Sequence, residues 1–189
     1  MLTVNDHGTK DSLLFARKRL DELKLLNGGH LGGANHYDRQ PLIQEFFFHL
    51  VGAMDKLMQT INESKGLGIA PCVVTANKIK NRLPSTDPIR ILIEPIHPET
   101  MRSGCWLPLP ATPYTDDWTH FRIMVFRNWV NHYGQNPFAM RVGGSEPPIS
   151  LFIDPRHREL GSSKLHAFDE LELFWRLVAD KCNLVLNSL

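Results

Sequence analysis

Asp38-Arg39-Gln40-Pro41-Leu42-Ile43-Gln44-Glu45-Phe46-Phe47-Phe48-His49-Leu50-Val51-Gly52-Ala53-Met54-Asp55-Lys56-Leu57-Met58-Gln59-Thr60-Ile61-Asn62-Glu63 decides the fold class. Leu42, Phe46, His49, Leu50, Ala53, Leu57 and Ile61 recur at three- and four-residue steps, the spacing of one α-helical face. Asp38 suits the cap and Pro41 the first turn. Such a helix is about 39 Å long. Phe47, Phe48, Met54 and Met58 widen its apolar stripe, so it belongs at the centre of a bundle or at a subunit interface. Consecutive residues step by about 100°, so Phe46, Phe47 and Phe48 together sweep more than half of the circumference. No single flat partner buries all three, and a homodimer is expected.

Helical spacing continues on either side. Leu13, Leu20 and Leu23 predict a helix from Asp11 or Ser12 to about Asn27, stopped by Gly28-Gly29. A helix is expected over Cys72–Leu83, between Pro71 and Pro84. Ile89-Arg90-Ile91-Leu92-Ile93 is too short for periodicity to choose between strand and helix. Residues 98–115 carry Pro98, Pro108, Pro110 and Pro113 around Trp106, Leu107 and Leu109, which predicts an ordered loop. Trp118, Phe121, Val125 and Trp129 line a helix from Asp116 or Asp117 to Gly134. Residues 138–153 predict a β-hairpin with a Gly/Pro turn. Phe168, Leu171, Trp175, Val178, Cys182 and Val185 mark a last helix over about 165–186. Any sheet is expected within 138–153, or at 89–93. The expected fold is therefore mainly α: an up-and-down helical bundle in one domain, residues 1–189, with a proline-rich loop and a small β-hairpin insertion.

Composition narrows the function classes. The chain has 189 residues, 42% of them hydrophobic and 22% charged, which suits one domain with a real core rather than a disordered chain. A formal net charge of +1 exerts no global pull on nucleic acid or anionic membrane, so any such contact must be local. Cys72, Cys105 and Cys182 form no CxxC pair and no evident disulfide framework. Reduced thiols, no apolar run of about 18 residues and no signal-like start lead to the expectation of a cytoplasmic protein off the membrane.

Residues 122–134 carry the one local cluster with chemistry: Arg-Ile-Met-Val-Phe-Arg-Asn-Trp-Val-Asn-His-Tyr-Gly. Arg127 supplies a permanent cation for phosphate and His132 a group titrating near neutral pH. Those are two components of metal-independent phosphodiester cleavage. Five positions apart on an ideal helix, they point about 140° away from each other, and they converge only if the helix loosens near Gly134. Both also complement a helix C-terminus electrostatically, which is a purely structural role.

Arg127-Asn128-Trp129-Val130-Asn131-His132 resembles the motif of HEPN domains: Arg, a polar residue, and His after a short gap, late in a helical bundle. The resemblance covers the motif and the helical layout, about residues 11–134 and 165–188. It implies RNA as partner, a dimer sharing one cleft, and Arg127, Asn128 and His132 as catalytic residues of a metal-independent endoribonuclease. Other HEPN proteins only bind. The 98–113 loop and the 138–153 hairpin depart from a minimal HEPN bundle and are placed to cover the cleft.

Other signals are weaker. Gly28-Gly29-His30-Leu31-Gly32-Gly33-Ala34-Asn35-His36 lacks a following Gly-Lys-Ser/Thr and reads as a connector. His30 and His36 have no acidic or thiol partner placed with them. Glu45 and His49 share a helix face, but the Glu-x-x-His spacing of di-iron bundles is absent, so no metal or other cofactor is expected. A carboxylate on that helix, from Glu45 or Asp55, is the natural orienting group for Arg127 or His132. Arg17-Lys18-Arg19 reads as a solvated face, and Arg156-His157-Arg158 as an exposed turn. Beside RNA binding or cleavage stand two alternatives: a non-catalytic helical dimerisation module, and a small-molecule binder lined by Trp106, Trp118 and Trp129.

Overall fold

The computed structural model describes residues 5–26, 36–133, 138–141, 149–152 and 165–189. The first helix, α1 (Thr9–Leu25), starts at an Asx turn in which Asp6 Oδ1 accepts from Gly8 N at 2.9 Å. It begins before the expected cap because Ser12 is buried and accepts instead from Lys56 Nζ at 2.7 Å. Helix α2 (His36–Ser64) is longer than expected, and Asp38 lies inside it rather than capping it.

The segment expected as one helix over 72–83 is two elements. A 3₁₀ turn (Pro71–Val73) is separated from α3 (Ala76–Arg82) by extended Val74 and Thr75. Thr75 Oγ1 caps α3 by accepting from Lys78 N at 3.3 Å. The ambiguous 89–93 stretch is helical: α4 (Pro88–Ile93), capped by Asp87, whose Oδ1 accepts from Ile89 N at 2.9 Å. Proline at N1 behind an aspartate cap outweighs the β-branched run. Sheet also forms where it was not expected. Strands β1 (Met101–Arg102) and β2 (Cys105–Trp106) pair antiparallel inside the proline-rich loop, across Ser103 and Gly104, both at positive φ.

Helix α5 (Asp116–Tyr133), strands β3 (Phe138–Arg141) and β4 (Ile149–Phe152), and α6 (Ala167–Leu186) follow the sequence expectation closely. Strands β3 and β4 pair antiparallel, Phe138 with Phe152 and Arg141 with Ile149. The fold is mainly helical, with a small hairpin between α5 and α6.

Side-chain pairs fix the helix directions. Between α1 and α2, Phe15 stacks on His49, Arg19 Nε meets Glu45 Oε2 at 2.5 Å, and Lys56 reaches Ser12. Between α2 and α5, Phe47 stacks on Phe126, and Gln44 Nε2 donates to Val130 O at 3.3 Å. Between α5 and α6, Asp116 pairs with Lys181 and Arg122 with Glu170. Helix α6 returns to α1 through Glu172, which accepts from Arg17 and Lys24, and through Trp175 Nε1, which donates to Leu13 O at 2.9 Å. In every pair, rising numbers on one helix meet falling numbers on the other. The four long helices are therefore an antiparallel up-down-up-down bundle.

Phe47, Phe126 and Phe174 meet at its centre, with ring centroids 6.1–6.3 Å apart. Phe46 and Phe47 are fully buried, whereas Phe48 is 63% exposed. The bundle thus covers two of the three consecutive phenylalanines by itself, because α2 has neighbours on several sides. No described helix is long and apolar enough to cross a membrane.

Candidate functional site

The same directions place the ends. The C-terminal turns of α1 and α5 and the N-terminal turns of α2 and α6 share one end of the bundle, and the α5 cluster reaches that end. Helix α5 changes character along its length. From Trp118 to Ile123 every side chain is buried, whereas Arg127, Asn128 and Trp129 are half-buried.

Arg127 Nη1 donates to Asn128 Oδ1 at 3.0 Å. The guanidinium is thereby held beside the residue that lies one helical turn before His132. The helix stays regular through Tyr133, so no loosening occurs up to that residue. His132 is in the last turn; its side chain, with those of Asn131 and Tyr133, lies outside the described residues, as does Gly134. The same is true of His30, of the 28–35 connector and of Arg156-His157-Arg158.

Glu45 and Asp55, the α2 carboxylates expected to orient Arg127 or His132, have other partners. Glu45 pairs with Arg19, and Asp55 Oδ1 lies 3.2 Å from His97 Nε2. Trp118 is 1% exposed and packs against Arg122, so it is core rather than cavity wall. Two cavities have no tryptophan in their walls: one of about 190 Å³ is lined by Asp55, Thr75, Asn77 and His97, another of about 420 Å³ by Glu22, Leu25, Leu26 and Leu42. Among the described residues, no three His, Cys, Asp or Glu side chains converge as a metal ion would require.

Beneath the cluster lies a buried ion pair that sequence reading missed. Arg122 Nε donates to Glu170 Oε1, and Arg122 Nη2 donates to Glu170 Oε2 at 3.2 Å. Their side chains are 1% and 0% exposed. The guanidinium lies over Phe126, 4.7 Å from the ring centroid, and 5.1 Å from that of Trp118. The pair fixes the rotation of α5 against α6, and with it the face on which Arg127 and Asn128 emerge. The available signal was a charge inside each apolar stripe: Arg122 beside Phe121 and Glu170 beside Leu171.

His120 is the second missed group. It is fully buried, and Asp116 O accepts from its Nδ1 at 2.8 Å. That contact puts the ring proton on Nδ1 and leaves Nε2 a bare acceptor, which has no hydrogen-bond partner. Burial holds its pKa below the usual histidine value, against the raising effect of Asp116. Burial also lowers the pKa of His49, although Glu45 opposes it.

A group with a depressed folded pKa binds its proton in the unfolded chain first. Stability should therefore fall as pH drops below about 6.5, the unfolded histidine value. The maximal slope is about 1.4 kcal/mol per pH unit for each histidine. The thermal midpoint is expected to decline between pH 7 and 5.5. His120→Asn keeps a donor for Asp116 O without titrating and should remove part of that decline. An unchanged pH profile in the variant would show that His120 does not contribute.

Comparison with family models, with characterised proteins and with solved structures gives no match to this chain.

Proposed function

We propose that this chain is a HEPN-like helical domain that acts on RNA through Arg127, Asn128 and His132, as a metal-independent endoribonuclease. The observation that carries the reading is the Arg127–Asn128 hydrogen bond. Asn128 holds a half-buried guanidinium in the C-terminal half of α5, one turn before the residue suited to proton transfer. A guanidinium restrained in this way is preorganised for a phosphate oxygen. Single-stranded RNA incubated with the purified protein in chelator tests the proposal: cleavage is expected, and it should depend on His132. Arg127-dependent binding without cleavage would instead make the chain a binding module.

A second reading, a helical interaction module, is favoured by Phe48, which stands exposed against the ring of His49, itself stacked on Phe15. The homodimer belongs to both readings. Sedimentation at high protein concentration should show a dimer, and Phe48→Ser should shift it toward monomer. A wild-type monomer would remove the shared cleft.

A further inference from the structure

Arg39 is the fourth residue of α2, on the same helix face as Ile43, Phe46 and Leu50, which are 1%, 0% and 0% exposed. Its own exposure is 8%, yet neither Nε nor Nη2 has a hydrogen-bond partner. Arg17, Arg19 and Arg122 are by contrast each paired with a carboxylate. A guanidinium does not shed its proton in proteins, so burial leaves a covered charge with idle donors. Burial pushes its pKa down, as expected for a cation without a counter-charge. Such a group is costly unless an anion completes it.

The surroundings say which anion. A helical side chain leans back toward the helix N-terminus, so the Arg39 fork lies near the first turn of α2. The backbone N–H groups of that turn lack intrahelical acceptors. Guanidinium fork and helix-start N–H groups together are the donor set that takes a phosphate. Gln44 meets Val130 across the antiparallel α2–α5 contact, so Arg39, five residues farther toward the α2 start, lies beyond the level of Tyr133, the last residue of α5. The four helix ends alternate in polarity there, and Asp38 and Asp169 lie in first turns of that end. The attraction is thus local and donor-based, not a broad positive field.

We propose that Arg39 and the first turn of α2 form a phosphate-binding subsite. Resting on the RNA reading above, its ligand is a backbone phosphate of the same RNA, at least about 12 Å along the helix axis from the level of Arg127.

The test uses the full chain and its thermal midpoint, in inorganic phosphate against chloride at equal ionic strength. Wild type should gain roughly 3–5 °C for each tenfold excess of phosphate over its dissociation constant. Arg39→Met should show no gain. Without phosphate it should be at least as stable as wild type, because an unpaired buried charge is gone. Arg39→Lys keeps the charge without the fork and should respond weakly; it serves as the variant of record if the methionine protein does not fold. An equal phosphate response in wild type and Arg39→Lys, or none in wild type, overturns the subsite. A single-stranded RNA oligonucleotide added in parallel separates this proposal from the RNA reading. An Arg39-dependent phosphate response with no response to RNA keeps the subsite and assigns it a free phosphate. Cleavage of RNA with no Arg39-dependent response keeps the enzyme and removes the subsite.

Discussion

Glu170→Ala should cost about 3–5 kcal/mol of folding stability, because it takes from the buried Arg122 guanidinium the carboxylate with which it makes two hydrogen bonds. For a chain of this size the loss corresponds to a midpoint lower by roughly 6–20 °C. Arg122 cannot escape by neutralising, since a guanidinium stays protonated. Trp118 and Phe126 pack against it, and its side chain is only 1% exposed, so little water reaches it in the folded chain. The matching control is Arg122→Met with Glu170→Leu, which removes both charges and should recover most of the loss. Urea or guanidinium denaturation of the three proteins measures both numbers. A loss under about 1 kcal/mol in Glu170→Ala would mean that the pair is hydrated in solution.

The largest effect on activity is expected at His132. In the proposed reaction Arg127 holds a phosphate oxygen and stabilises the charge that develops on it. His132 moves the proton of the attacking 2′-hydroxyl or of the leaving oxygen, and Asn128 orients Arg127 while bonding the phosphate. His132→Ala should lower the rate of RNA cleavage about 10²–10⁴-fold, roughly 3–5 kcal/mol of barrier, with the fold unchanged. Arg127→Lys should also be costly: a point charge replaces the planar fork, and the hydrogen bond to Asn128 Oδ1 loses its geometry. Chelator should change none of these rates. Wild type that neither cuts nor binds single-stranded RNA would reduce Arg127 and His132 to helix-end electrostatics.

The helices read correctly from sequence are those with long periodic stripes. Helices α2, α5 and α6 span 29, 18 and 20 residues, enough turns for a face to declare itself. Residues 71–93 offered one or two turns at a time, and there caps decided: Thr75 and Asp87 start helices that periodicity could not place. Burial was harder to read, since Phe46, Phe47 and Phe48 do not reveal how many helices surround them. The same gap hid the polar core. Arg122 and Glu170 are 48 positions apart, and no local pattern announces that two charges will pair inside apolar stripes. Arg39 carries no signal of its own in the sequence; the unpartnered Nε and Nη2 are visible only once its neighbours are in place.

The up-down-up-down order has a practical geometric outcome. Helix α1 starts and α6 finishes at the end of the bundle opposite Arg127. A dye, tag or surface linker joined near Lys10 or Ser188 therefore hangs roughly 25 Å from the Arg127 end, about the length of α1. The chain can be tethered from either of those points with the proposed RNA face left open to solution.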